Sequence, residues 1–260
     1  MRADRALLTP LRRFIWRHPA LARFLPLLGV YRHRREVRKL AASSFEKLNF
    51  GCGPHPLDGW TNIDGGDGRR YVPPPHPDIV KLDVFEALAR IPAGCARLIS
   101  SEHFFEHFDR QQGHEILREC LRLLRPGGVV RMVTPDLEKE VKIYLDLLPE
   151  IDWDSMVLPH RYGHVGPRNP DPYGKLRDGE AFTRSMLLNN GMHMDGHRYL
   201  YDFETISQSM RLAGFTDVRR EEFGASRHPE LAGIDRHDGG ETGRNWVPGI
   251  ALVVEATKPE

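Results

Sequence analysis

Along most of this chain, short apolar runs take turns with stretches of helical periodicity. Leu48 and Phe50 belong to a first run that ends in Gly51-Cys52-Gly53, and Trp60 and Ile63 to a second that ends in Asp64. Asp78 to Leu82 reads as a third strand ending at Asp83, and Ala96 to Ser100 as a fourth ending in Ser101-Glu102-His103. Gln111 to Leu124 repeats its apolar positions at helical spacing (Ile116, Leu117, Cys120, Leu121, Leu124) and meets the stop signals Arg125-Pro126-Gly127-Gly128. Val129 to Val133 is a fifth strand ending at Thr134-Pro135-Asp136, and Leu137 to Leu148 is helical again. After an irregular segment, a helix runs from about Asp202 to Leu212 with Gly214 just past its end. Phe215 to Glu222 and Ile250 to Ala256 close the pattern as strands six and seven.

Strands alternating with helices predict an α/β, mostly parallel sheet covered by helices on both faces. In such sheets ligands sit at the carboxyl ends of the strands. The residues at those ends are Gly51 and Gly53, Asp64, Asp83, Ser101 to His103, and Thr134 to Asp136. A glycine loop after one strand and an acid after the next suit a nucleoside: glycines admit close backbone approach, and a carboxylate accepts from both ribose hydroxyls. The loop is not G-x-G-x-x-G, and Asp64 follows Gly53 sooner than the acid of a dinucleotide fold would. So few residues between Gly53 and Trp60 leave room for one helical turn at most.

Charge separates the N-terminus from the rest. Residues 1–40 hold ten arginines and one lysine against Asp4 and Glu36, although the whole chain of 260 residues is only +1. Residues 1–42 therefore read as a basic helical arm, with Leu7 to Ile15 and then Leu21 to Leu28 at helical spacing, and 43–260 as the main domain. The arm can lie on an anionic membrane surface or pack on the domain, but no apolar run is long enough to span a bilayer. Residues 149–196 are irregular and rich in Pro, Gly, His and Tyr, the composition of a lid or binding loop. Three scattered cysteines, Cys52, Cys95 and Cys120, argue for a reducing, cytoplasmic compartment. The acidic main domain lacks the basic groove that nucleic acid requires.

Several segments, in order, resemble one family. Leu48 to Pro56 with Gly59-Trp60-Thr61-Asn62-Ile63-Asp64 resembles the first motif of class I S-adenosyl-L-methionine-dependent methyltransferases, in particular a subgroup common among polysaccharide and glycan biosynthesis genes. Ser101 to His107, Leu124 to Gly128, Val133 to Leu137, His197 to Asp202, Ala213 to Phe215 and Phe223 to Leu231 resemble its later segments, so the resemblance spans about residues 46–258. It implies a Rossmann-like seven-stranded sheet with an antiparallel last strand. It also implies S-adenosyl-L-methionine as cofactor and a small-molecule or saccharide acceptor. By position, Gly51 and Gly53 border the methionine, and Asp64 takes the ribose. Asp83 and Val84 lie near the adenine, and Ser101 and Glu102 sit under the sulfonium. Asn49 stands where many members carry an acid.

Methyl transfer to oxygen needs an aligned acceptor and benefits from a base, for which histidine is suited near neutral pH. His103, His107, His193 and His197 are the candidates near the strand ends; His107 and His197 are preferred, with Glu106 orienting an imidazole. No metal is required on this reading. Two alternatives use the same residues. His103 to His107 spells H-x-x-E-H, a zinc-peptidase pattern if it lies on a helix. A cofactor-binding domain without activity, serving as a partner or scaffold, is the other.

Overall fold

The computed structural model describes residues 25–53, 55–65, 77–148, 181, 183–193, 196–235 and 247–260. The helix expected over Leu7 to Ile15 and most of the irregular segment, including Arg161, Tyr162, His164 and Tyr173, lie outside these residues.

The chain enters through α1 (Leu25–Ala41), then β1 (Lys47–Phe50), β2 (Thr61–Ile63), β3 (Ile79–Val80), α2 (Val84–Arg90) and β4 (Ala96–Glu102). A three-residue 3₁₀ turn (Phe105–His107) leads into α3 (Arg110–Leu123), β5 (Leu124–Pro135) and α4 (Leu137–Tyr144). After α5 (Arg184–His193) come α6 (Phe203–Ala213), β6 (Thr216–Glu221), α7 (Val247–Ile250) and β7 (Ala251–Thr257). One seven-stranded sheet results, in the order β3-β2-β1-β4-β5-β7-β6. The pairs β1–β2, β1–β4, β2–β3 and β4–β5 are parallel, and β7 runs antiparallel to both β5 and β6. The mostly parallel α/β sheet is the one the pattern predicts, and its Rossmann-like form with an antiparallel last strand is the one the family resemblance implies. Strand order reverses between β1 and β4, which is the switch point at which such sheets open a crevice.

Local sequence explains most element ends. Asp109 caps α3 in a reciprocal box with Gln112, and Gly214 ends α6 at φ +110°, a left-handed geometry that glycine adopts without a Cβ penalty. Two helices longer than one turn escaped the periodicity, as did the one-turn α7, which ends on Ile250 where the seventh strand was expected to begin. The first, α2, has only seven residues, but Asp83 and Glu86 spell the capping signature ahead of it. The other, α5, falls in the segment read as irregular; Met186, Leu187 and Leu188 are contiguous and form no stripe, and only Leu187 is buried. The fifth strand also starts earlier than expected, at Leu124, because Gly127 and Gly128 pair with Lys258 instead of closing a loop.

One face of the sheet is apolar. Leu48, Phe50, Ile63, Ile99, Val130 and Met132 pack there with Leu88 of α2, Ile116 and Leu117 of α3, and Ile206 and Met210 of α6. Leu40, in the last turn of α1, is buried in the same cluster, and Lys39 Nζ donates to the Ile79 carbonyl. The C-terminal end of α1 is thus docked on the sheet edge. No described helix is long and apolar enough to cross a membrane.

The opposite face carries a polar row. Register places Asn62 beside Asn49, Asn49 beside Ser100, Ser100 beside Arg131, and Arg131 beside Glu255. All five are buried. Loops cover this row. Among the described residues of 51–60 there is no helix, as the short first crossover requires. Asn62 holds that loop instead: its Oδ1 accepts from Asn49 and from the Leu57 N–H at 2.9 and 2.8 Å, and its Nδ2 donates to the Leu57 and Trp60 carbonyls. Further along, Trp60, Leu231 and Ile234 pack over Leu98 and Val129.

Candidate functional site

At the switch point, β1 delivers Gly51 and Gly53 with φ of +69° and +54°. The Gly53 N–H donates to Asp64 Oδ2 at 2.7 Å, so the acid at the end of β2 turns toward the glycine loop. Asp64 is 8% exposed, a carboxylate held at the rim of the crevice. Asn49, Gly51, Cys52, His55, Leu57, Ser100 and Glu102 line a small cleft beside it. Cys52 is inert there: burial first, and the Asp64 charge second, push its thiol up to about 12.

The predicted cofactor residues divide into those that line this cleft and those that do not. Asn49, Gly51 and Glu102 line it, with Gly53 and Asp64 adjoining. Ser101 is buried and is not among the lining residues; the alternation of β4 sets Ser100 beside Glu102 instead. Period-two reading of Ser100-Ser101-Glu102 could have found this. Asp83 caps α2, accepting from the N–H groups of Phe85 and Glu86, while Val84 is buried on the inner side of that helix. Gly65, which was not singled out, brings the ends of β2 and β3 together: a Cβ there would lie 2.4 Å from the Leu82 carbonyl oxygen.

A second group of residues adjoins the cleft through one dipeptide. The Phe104 ring lies against Gly51, where a Cβ would stand 2.4 Å from it. Its neighbour His103, left-handed at φ +46°, hydrogen-bonds through Nδ1 to Glu106 Oε1 at 3.1 Å. Glu106 is fully buried, and Thr134 at the end of β5 donates to its Oε2 at 3.1 Å. The Glu106 carbonyl accepts from the backbone N–H groups of Arg198 and Tyr199. That pairing brings His197 in from far along the chain, with Nε2 3.9 Å from Glu106 Oε1 and Nδ1 2.6 Å from the Gly191 carbonyl. His107 completes the group, its ring edge-on to His197 at 5.1 Å between centroids. Burial alone would raise the Glu106 pKa; the His103 hydrogen bond and the nearby imidazoles outweigh it and bring it down to about 2.

His107, His197 and Glu106 therefore converge, from a turn and a segment some ninety residues apart in sequence. His193 lies exposed at the end of α5. The H-x-x-E-H segment is not an α-helix. His103 ends a strand extension and a three-residue 3₁₀ turn follows, so the two histidines lack the one-turn spacing of a peptidase helix.

No protein-family model matches the chain, and no curated protein matches it. Among solved structures it is similar to a SAM-dependent methyltransferase from Archaeoglobus fulgidus, at 15% identity over 87% of this chain and 94% of that one, with a TM-score of 0.42. It is similar to the complex of the Haloferax volcanii Trm112 methyltransferase activator and a putative methyltransferase, at 12% identity over 93% and 96%, TM-score 0.44. An S-adenosylmethionine-dependent methyltransferase from Mesorhizobium loti gives 15% identity over 87% and 97%, TM-score 0.40. Likenesses at this level assign neither family nor activity to the chain.

Proposed function

We propose that the chain is an S-adenosyl-L-methionine-dependent methyltransferase acting on a hydroxyl of a small-molecule or saccharide acceptor. The observation that carries this reading is Asp64, a nearly buried carboxylate bound to the Gly53 N–H at the switch point of the sheet. A carboxylate there suits a ribose diol, and the positive-φ glycines offer backbone to the rest of the nucleoside. The ordered motifs of the sequence, from Gly51 to Leu231, support the same ligand. When bound, the cofactor supplies a methyl group on an electrophilic sulfonium.

The chain's own residues have to align the acceptor and take up its proton. Glu106, His107 and His197 are suited to that work, because the ionised Glu106 can orient an imidazole and stabilise its charged form. Thr134 and His103 fix the carboxylate from either side. On this reading the lid over 149–196 contributes to the acceptor site, and the basic residues 1–40 suit contact with an anionic membrane surface from the cytoplasmic side.

Asp64→Ala is the direct test. It removes the ribose acceptor, and titration calorimetry should show S-adenosylmethionine binding about 10- to 100-fold weaker, the usual effect of removing a charged hydrogen-bond partner. Unchanged affinity would remove Asp64 from the site and this reading with it.

A further inference from the structure

We infer that Glu106, His107 and His197 form a binding site for one divalent transition-metal ion of the zinc, manganese or iron kind, which holds the acceptor's oxygen. The inference rests on the methyltransferase reading for its role, but not for its existence. One ligand atom from each of the three residues lies within 4.8 Å of the other two. Two imidazoles and one carboxylate, with no fourth ligand among the described residues, are a donor set that binds zinc or ferrous iron and leaves room for substrate.

The surroundings are those of a metal site as well. Metal-binding imidazoles commonly donate their second ring N–H to a backbone carbonyl, which fixes the tautomer and aims the other nitrogen at the ion. His197 Nδ1 faces the Gly191 carbonyl at 2.6 Å, and Nε2 is the atom turned to Glu106. Gly191 is held in place by close packing on Glu140, whose carboxylate occupies the space a Cβ would need. Ligating carboxylates are themselves hydrogen-bonded. Glu106 receives His103 on Oε1 and Thr134 on Oε2.

Charge points the same way. Glu106 is 0% exposed, and among the described residues no Lys or Arg forms an ion pair with it. Its charge is met by imidazoles alone, and a divalent ion that displaces their protons keeps the buried carboxylate compensated. Donor atoms around a four-coordinate ion stand roughly 3.4 Å apart, from bond lengths of about 2.1 Å. The present separations therefore close by on the order of 1 Å when the ion enters. His107, on a three-residue turn, can supply that movement. With the ion bound, His107 and His197 serve as ligands in place of acting as bases: an acceptor hydroxyl on the ion would have its pKa lowered and lose its proton to solvent, ready to attack the methyl carbon as the sulfonium leaves as a thioether.

The test uses the full chain, stripped with chelator and titrated with Co²⁺. One equivalent should bind and give the intense visible d–d bands of a low-coordinate cobalt site. Glu106→Gln, His107→Asn and His197→Gln should each weaken binding at least 100-fold, and His103→Ala, which removes the Nδ1 bond to Glu106, about 10- to 100-fold. His114→Asn, on α3, should change nothing. If Glu106→Gln does not fold, the wild-type spectrum and the two histidine variants decide the matter. Co²⁺ binding no tighter than that of the triple variant overturns the site. S-adenosylmethionine binding in the same preparation separates the two readings. Cofactor affinity without metal affinity overturns the metal site alone. Metal affinity without cofactor affinity supports the site and removes the methyltransferase reading.

Discussion

The same strands present two unlike faces. On one, Ile63, Phe50, Met132 and Val254 form an apolar row under the helices; one position away on each strand, Asn62, Asn49, Arg131 and Glu255 form a buried polar row under loops. The apolar row resembles any α/β core, and its energetics are those of burial and packing. The polar row holds two things that packing alone would not. At one end it replaces the missing first helix with the amide of Asn62. In its centre it pins a covering loop, because Arg131 binds Asp235, Glu255 and the Ala225 carbonyl while fully buried. A polar face under loops is also where a ligand can reach the sheet. Asn49, Ser100 and Glu102 of this face line the cleft beside Asp64.

The largest expected effect breaks the polar row at its centre. Arg131→Met leaves Asp235 and Glu255 without their cation, and removing one partner of a buried pair costs about 3–5 kcal/mol. Denaturant unfolding should show that loss, and a loss under about 1 kcal/mol would mean the row is not closed as described. Next comes Asn62→Ala. It strips partners from the Leu57 N–H and from the Leu57 and Trp60 carbonyls, for about 3 kcal/mol, with limited proteolysis expected between Gly53 and Trp60. Resistance to protease there would show that the loop is held by something else.

A titratable group outside the row sharpens the contrast with its permanent ion pairs. Glu140 is buried, and burial first, with Asp136 second, raises its carboxyl to about 8 from an ordinary 4.5. A raised folded pKa gives stability that is whole below the unfolded value and is lost as pH rises through the folded one. Wild-type stability should therefore fall by about 2 kcal/mol between roughly pH 6 and 8 from this group alone, and Glu140→Gln should flatten that slope. An unaltered slope would place the titration elsewhere. The smallest effect belongs to the apolar row. Met132→Leu conserves volume and should shift stability by less than about 1.5 kcal/mol, which thermal melting can check.

How much of this could be read in the chain follows from the two faces. Apolar periodicity located all seven strands, since Leu48, Ile79, Leu98 and Val130 each sit in short runs ended by turn residues. It missed α2, α5 and the one-turn α7, where the helix is too short or its apolar residues too bunched for a stripe. Gly51, Gly53 and Asp64 were legible as a loop and an acid, and the short crossover followed from counting residues. The polar row was not legible, because Asn49, Ser100 and Arg131 meet only through strand register, which no single strand records. Nor could the chain show why His197 reaches Glu106. That depends on two backbone N–H groups, of Arg198 and Tyr199, meeting one carbonyl.

Arg131 also bears on how the sheet finds its alignment during folding. It stands between Val130 and Met132, which face the helices. A one-residue slip of β5 would drive the guanidinium into that hydrocarbon and lift two apolar side chains onto the face of Asp235 and Glu255. Misaligned pairings of this interior strand with either neighbour are thereby penalised by a full buried charge, so one arginine guards the registry at the parallel-to-antiparallel junction of the sheet.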